Sequence, residues 1–346
     1  MANPSAAPHT VTARAFGKVN LHLGVGDARE DGYHELTTVF QAVDLHEDVT
    51  LVREDEQQGT LGLTVDSVFG DDVPTDPSNL AWRGVELVRE IAREHVQRGE
   101  VLLSDPEVGL RIDIAKGVPM AGGMAGGSAD AAAAMVAAAA FFWPADAIPE
   151  AELRSRAVSL GADVPFCLLG GTALGTGIGE NLSPVLTRGK YHWVMVTNKK
   201  GLSTPKVFEK LDEQRELIAQ GERPDVRAGD PGAVITSLRS GDPEQLAQHL
   251  ANDLQAPAVS LFPELRETLG IARQTGALQA IVSGSGPTVA VLCRDEDHAG
   301  EVLGGITGAA RGVRAVLATS PAGGARVIER YSNNNTERCV PLGRPD

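Results

Sequence analysis

A chain of 346 residues has room for one large or two moderate domains, and two are expected. With 42% hydrophobic and 22% charged residues it reads as a soluble globular protein, and no segment offers the roughly 20 unbroken apolar residues of a membrane span. A net charge of −15 argues against nucleic acid or a membrane as a partner, since both reward basic surfaces, but leaves room for a small anionic ligand met by local cations.

The opening "MANPSAAPHT" lacks the basic start and apolar stretch of a secretory signal, so residues 1–10 are expected to be a flexible arm and the protein cytoplasmic. From there "TARAFGKVNLHLGVG" alternates like a half-buried strand, with Val19, Leu21 and Leu23 on one side and Lys18, Asn20 and His22 on the other. A turn at Asp31-Gly32 leads into further strands, with another in "GTLGLTVD". The loop "DDVPTDPSN" starts a helix through "LAWRGVELVREIAREH", and "GLRIDIAKGVP" is an alternating strand. Next come the glycine-rich "VPMAGGMAGGSADAAAAM", its alanine helix, a helix in "PEAELRSRAVSLG" and a loop at "ADVP".

The segment "LLGGTALGTGIGENLSPV" reads as strands around a turn that cross into a second domain. That domain is expected to hold a strand "YHWVMVTN", helices near 205–219 and 243–254, a helix "PELRETLGIARQTG", strands "LQAIVSG" and "TVAVLCR", a helix near 296–308 and closing strands "RAVLATS" and "ARVIER". Strands and helices mix without a strict alternation, which predicts an α+β fold, and residues 331–346 are expected to be a flexible tail. Cys167, Cys293 and Cys339 show no close metal-type spacing and read as reduced thiols, two of them in the core.

Gly122, Gly123, Gly126 and Gly127 let the main chain bend tightly and leave its N–H groups unscreened, and Ser128 stands where a helix should begin. Such a start presents free donors and about half a positive charge to a phosphate. The segment has neither the lysine of a Walker A loop nor a G-x-G-x-x-G, and a second reading stays open, in which small residues let a helix pack closely on a sheet. Each companion residue also has two readings. Lys18 is a solvated strand lysine or a functional cation, Asp163 in "LGADVPFC" is a turn aspartate or a base, Asp130 is a dipole-favoured first-turn carboxylate, and "SGSGP" at 283–287 is a bend or a motif.

Together these segments resemble the GHMP kinases, named for galactokinase, homoserine kinase, mevalonate kinase and phosphomevalonate kinase. "GKVNL", "PMAGGMAGGSADAA" and "SGSGP" occur in the family's order, and the likeness runs from about residue 11 to residue 330. The resemblance implies a two-domain fold. Residues 11–172 would form an N-terminal ATP-binding domain like domain 2 of ribosomal protein S5, and 173–330 a ferredoxin-like C-terminal domain, although the closing strands could return to the first.

The resemblance also implies ATP and Mg²⁺ as cofactors, Asp163 as catalytic base and Lys18 as its cationic partner. It places Asn79, Lys116 and the run Pro119, Met120, Ala121, Gly122, Gly123, Met124, Ala125, Gly126, Gly127 and Ser128 at the nucleotide. Within the family, "EDGYHEL" and "LGADVPF" imply an acceptor that is a cytidine diphosphate conjugate of methylerythritol, in an isoprenoid route that bypasses mevalonate. The substrate-binding residues would then be Asn20, Tyr33, His34, Thr204 and Phe208, with Tyr33 and Phe208 on the two faces of the cytosine. A small-molecule substrate and a monomer or weak homodimer are the expected partners.

Ala121, Met124, Ala125 and Ala129 depart from the family's loop pattern, and each alanine resists a positive φ that glycine would accept. Lys199, Lys200 and Lys206 are not part of the hallmark set and read chiefly as a solvated loop, with attraction of polyanionic substrates as the alternative. Two rival readings are another GHMP kinase of homoserine or mevalonate type, opposed by "DGYH" and "TPKVF", and a silent nucleotide or sugar sensor, opposed by keeping both Lys18 and Asp163.

Overall fold

The alternation in the first segment yields β1 (Thr10–Ala28), which runs antiparallel to β2 (His34–Glu54) along most of its length. The alternation of buried and part-exposed residues holds only as far as Phe16; from there to Leu23 both faces are buried, because that half of β1 lies between two layers of structure. The computed structural model describes residues 7–29, 32–54, 58–69, 73–119, 122–143, 148, 150–198, 200–221, 227–332 and 335–337.

β3 (Leu61–Ser67) joins β4 (Gly109–Lys116) in parallel, and such a pair needs a crossover. The crossover is α1 (Leu80–Gln97), begun where the Asn79 side chain accepts from the Ala81 N–H. The glycine segment then opens α2 (Gly126–Phe142), which is buried on nearly every side. Its alanines allow this: a Cβ on Gly84 of α1 would stand 3.0 Å from the Ala131 carbonyl, so the two helices nearly touch through backbone. α3 (Glu150–Ala157) and α4 (Val164–Leu169) complete the helical layer over β1, β2 and β4, with Ile112, Ile91, Met135 and Phe141 in the core between.

β5 (Thr172–Thr176) and β6 (Asn181–Pro184) form a hairpin, followed by β7 (Tyr191–Asn198), α5 (Thr204–Ala219), α6 (Gly232–Ser240), α7 (Pro243–Ala247), β8 (Ala251–Asn252) and α8 (Gln255–Leu261). The chain closes with α9 (Glu264–Gln274), β9 (Gln279–Val282), β10 (Val289–Cys293), α10 (Glu296–Ala309), β11 (Val313–Ser320), β12 (Arg326–Ser332) and β13 (Asn335–Glu337). The second sheet has the order β11-β7-β10-β9, antiparallel throughout, which is the split β-α-β arrangement expected of a ferredoxin-like unit. One face of this sheet buries Val19, Leu21 and Val39 of the first unit against Trp193, Met195 and Leu292.

Several expectations change. β5 and β6 stay with the first sheet, where β5 pairs β2, and β12 returns to pair β1, so the second unit begins only at β7 and ends at β11. The reason is an edge: β4 covers the latter half of β2, and the free earlier half takes β5. The loop expected at "ADVP" is the start of α4, with proline in its first turn. Residues 331 and 332 continue β12, and β13 pairs with it, so the tail is not wholly irregular; residues 338–346, Cys339 included, lie outside the described residues. Cys167 and Cys293 are free and buried, as read from the sequence. Among the described residues no helix is long and apolar enough to cross a membrane.

Candidate active site

Lys18 sits on β1 beside a bulge, and its backbone N–H donates to the Met124 carbonyl of the glycine loop at 3.0 Å. The side chain is 4% exposed, not solvated, and an ammonium buried so deeply needs partners. It donates to Asn20 Oδ1 at 2.7 Å, lies 3.6 Å from Asp163 Oδ2 and has the Phe40 ring 5.5 Å away. Asn20 is fixed in turn by donating to Thr38 Oγ1 at 2.8 Å, and Thr38 donates to the His22 carbonyl. A strand residue and a helix-end residue 145 positions apart, the latter one-third exposed, thus meet at a cleft wall.

The cleft has two confluent lobes of about 440 and 900 Å³. Gly122 to Ser128, Pro119, Lys18 and Asn20 line the smaller, and Tyr33, His34, Phe208 and Asp212 line the larger. Asp163, Ser128, Thr204 and Phe208 border both, so the carboxylate stands where the lobes join. Tyr33 is 61% exposed at the rim of the larger lobe. His34 is buried, tilts over the Phe208 ring with centroids 5.1 Å apart, and its Nε2 lies 2.9 Å from Asp212 Oδ1. Thr204 and Ser285 share a hydroxyl hydrogen bond at 2.8 Å, tying α5 to the SGSGP turn.

The glycine loop faces two ways. Toward the second unit, Gly122 and Gly123 have positive φ, and Cβ atoms on them would stand 2.9 Å from the Gly286 carbonyl and 2.3 Å from that of Ser283. Their own carbonyls accept from Thr288 Oγ1 at 2.6 Å and Ser283 Oγ at 2.7 Å. Glycine at 122 and 123 is therefore required by backbone packing against the SGSGP turn. Toward the cleft the start of α2 carries the first-turn N–H groups, which have no partner within a helix. The packing reading accounts for Gly122 and Gly123, while Gly126 and Gly127 lie at the helix start that lines the smaller lobe.

Ala125 caps α2 at φ 58°, the left-handed conformation that its methyl group resists. Holding alanine there costs about 1–2 kcal/mol, against which glycine would add unfolded-chain entropy of roughly 0.5–1 kcal/mol. Ala125→Gly should therefore raise stability by about 0.5–1 kcal/mol, read as a higher denaturant midpoint at unchanged slope.

Two sequence-predicted nucleotide residues do not reach the cleft. Asn79 caps α1 through its Oδ1, donates from Nδ2 to the Pro74 carbonyl at 2.8 Å and lines neither lobe. Lys116 is wholly buried beneath the loop, where its ammonium donates to Glu47 Oε1 at 2.9 Å and Asp130 Oδ2 at 2.6 Å. Asp130 is thus a buried ion-pair partner lying just past the first turn of α2, and not a first-turn carboxylate. Met120, Ala121 and Lys199 lie outside the described residues, while Lys200 and Lys206 are exposed and line neither lobe. The sequence reading missed Thr38, Phe40 and Glu47; Glu47 had a signal in the antiparallel register, which sets it opposite Lys116.

The family model for the GHMP kinases N terminal domain matches residues 79–171, and that for the GHMP kinases C terminal matches residues 234–309. A 4-diphosphocytidyl-2-C-methyl-D-erythritol kinase of Corynebacterium jeikeium is 51% identical over 344 residues, covering 93% of this chain and 94% of that protein. The enzyme of the same name from Nocardia farcinica is 50% identical over 331 residues, with 95% and 99% covered. Among solved structures, a 4-(cytidine 5'-diphospho)-2C-methyl-D-erythritol kinase superposes with a TM-score of 0.67 at 32% identity, covering 90% of this chain and 100% of that one. A relative in fold alone, L. major mevalonate kinase in complex with R-mevalonate, gives 0.69 at 17% identity, with 93% and 100% covered.

Proposed function

The chain belongs to the GHMP kinase family, and on that premise we propose that it transfers the γ-phosphoryl group of ATP to the 2-hydroxyl of 4-diphosphocytidyl-2-C-methyl-D-erythritol. The observation that carries this reading is the position of Asp163, bordering both a glycine-lined lobe suited to phosphates and a larger lobe rimmed by aromatic residues.

In the smaller lobe, the N–H groups at the start of α2 would hold the triphosphate, and Lys18 would offset charge developing on the transferring group. Asp163, 3.6 Å from the Lys18 ammonium, would accept the proton of the attacking hydroxyl. Because phosphoryl transfer passes through a loose transition state, alignment of the two lobes should contribute more than proton removal. Mg²⁺, when bound, supplies neutralisation of the phosphate oxygens. Among the described residues no group of three or more His, Cys, Asp or Glu side chains could hold a metal ion, so the phosphates and water would supply most of its shell.

In the larger lobe, Tyr33 and Phe208 would stack on the cytosine and His34 would meet its edge. Nε2 of His34 is already turned to Asp212, which leaves Nδ1 for the base. Thr204, from the junction between the lobes, and Asn20, from the smaller lobe, would contact the rest of the acceptor.

A coupled assay of ADP release tests the proposal against three acceptors. The cytidine conjugate should be phosphorylated, and homoserine and mevalonate should not; turnover of either of these with the conjugate ignored would overturn the substrate. Tyr33→Ala should raise KM for the conjugate roughly tenfold, as loss of one stacked face implies, with little change in kcat. An unchanged KM would remove Tyr33 from the base site.

A further inference from the structure

Glu47 of β2, Lys116 of β4 and Asp130 of α2 meet with 0%, 0% and 4% of their side chains exposed. Glu47 touches both ends of the glycine segment. Its Oε2 accepts from the Gly117 N–H at 2.9 Å, and a Cβ on Gly126 would stand 3.3 Å from its Oε1. Lys116 then carries the linkage from Glu47 to Asp130 in the first turns of α2. The three groups tie together the strand that enters the loop, the helix that leaves it, and the neighbouring strand.

Two carboxylates and one ammonium leave one negative charge uncompensated, directly below a loop proposed to hold a triphosphate. Asp130 Oδ1 has no hydrogen-bond partner among the described residues, which a buried carboxylate oxygen rarely tolerates. We propose that Glu47, Lys116 and Asp130 are a positioning clamp for the nucleotide loop, kept charge-neutral by one proton on one of its two carboxyls, and that losing this proton weakens binding of the nucleotide phosphates. The proposal rests on the kinase reading above.

Burial, and secondarily Asp130, push Glu47 up to about 8, while Lys116 opposes the rise. Burial likewise raises Asp130, again opposed by Lys116. Burial by itself would lower Lys116, but the two carboxylates more than reverse it and hold the ammonium charged. The remaining titratable neighbour is Cys167 of α4, whose thiol burial pushes above its ordinary range, so it stays neutral; Lys18 and Asp163 lie beyond it. His46, beside Glu47 in sequence, is turned away to the Asp44 carbonyl. The sign follows: a carboxyl raised in the folded state contributes stability that is complete below its unfolded value and lost as pH rises through about 8.

The test titrates a fluorescent ATP analogue into the intact protein from pH 7 to 9.5 and follows kcat and KM for ATP and for the acceptor over the same range. For the wild type, Kd and KM for the nucleotide should rise on the order of tenfold through about pH 8, with kcat and the acceptor KM changing far less. Asp130→Asn leaves one carboxylate opposite the Lys116 ammonium, and should flatten that rise. A wild-type nucleotide Kd that is flat across this range, or an Asp130→Asn protein that keeps the full rise, would overturn the clamp. Failure to bind nucleotide at pH 7 would instead sink the kinase reading itself. Thermal unfolding of the wild type adds a measurement that needs no variant: Tm should fall from pH 6 to 9, and a level Tm would overturn the retained proton.

Discussion

Asp163→Asn should lower kcat by on the order of 10²–10⁴ and leave nucleotide affinity within a few fold. The substitution keeps the shape of the residue and removes only its charge and proton affinity. The Asp163 side chain makes no capping bond to α4, so the helix does not depend on it. Lys18 loses the charge of a partner 3.6 Å away but keeps its 2.7 Å bond to Asn20, and the amide oxygen of the variant can still accept from it. What disappears is the acceptor for the hydroxyl proton at the point where the two lobes join. A loss near the lower end would mean that alignment dominates; a loss near the upper end would mean that proton transfer is far advanced in the transition state. ADP release with saturating acceptor gives kcat, and titration with a fluorescent nucleotide gives the affinity. Unchanged turnover would leave Asp163 as a helix-end residue and the base elsewhere.

Sequence patterns revealed those parts of the molecule whose physics is local. The β1 alternation, the Asn79 start of α1 and the glycine segment running into the alanine helix each depend on residues within a turn or a strand of one another. The pairing of Lys18 with Asp163 was reached through family resemblance, because nothing in spacing tells which strand faces which helix end. The sheet to which β5 and β6 belong is non-local in the same way. Whether β5 extends the first sheet depends on an uncovered length of β2, more than a hundred residues earlier. Short α6 and α8 were missed because each is a few turns at most and carries no full amphipathic repeat. Lys116 lines neither lobe, and the partners of its buried ammonium lie on two other elements, Glu47 on β2 and Asp130 on α2. Only the β2–β4 register, which sets Glu47 opposite it, turns an apparent ligand-binding lysine into a buried support.

Gly123→Ala and Gly127→Ala should separate the two demands on the glycine loop. At position 123 φ is +86°, and the new Cβ would meet the Ser283 carbonyl at 2.3 Å, a backbone atom that cannot swing aside. The strained φ alone costs about 1–3 kcal/mol, and relieving the clash must also part the loop from the SGSGP turn, stretching the Ser283 bond to the Gly123 carbonyl. A total loss of about 3 kcal/mol or more is expected, seen as a large fall in Tm or as insoluble protein. Position 127 is different. It lies in the first turn of α2 without a positive φ, and the nearest atom to its Cβ is Leu80 Cδ1 at 3.5 Å, an ordinary contact. Alanine there should leave the fold intact or stabilise it by up to about 1 kcal/mol, through its greater helix propensity. Its methyl group nevertheless projects beside the donors that phosphates would use, so nucleotide Kd should rise by roughly tenfold or more if the triphosphate lies against this turn. Should Gly127→Ala bind ATP as tightly as the wild type, the phosphates do not rest on the start of α2, and the glycines there serve packing alone.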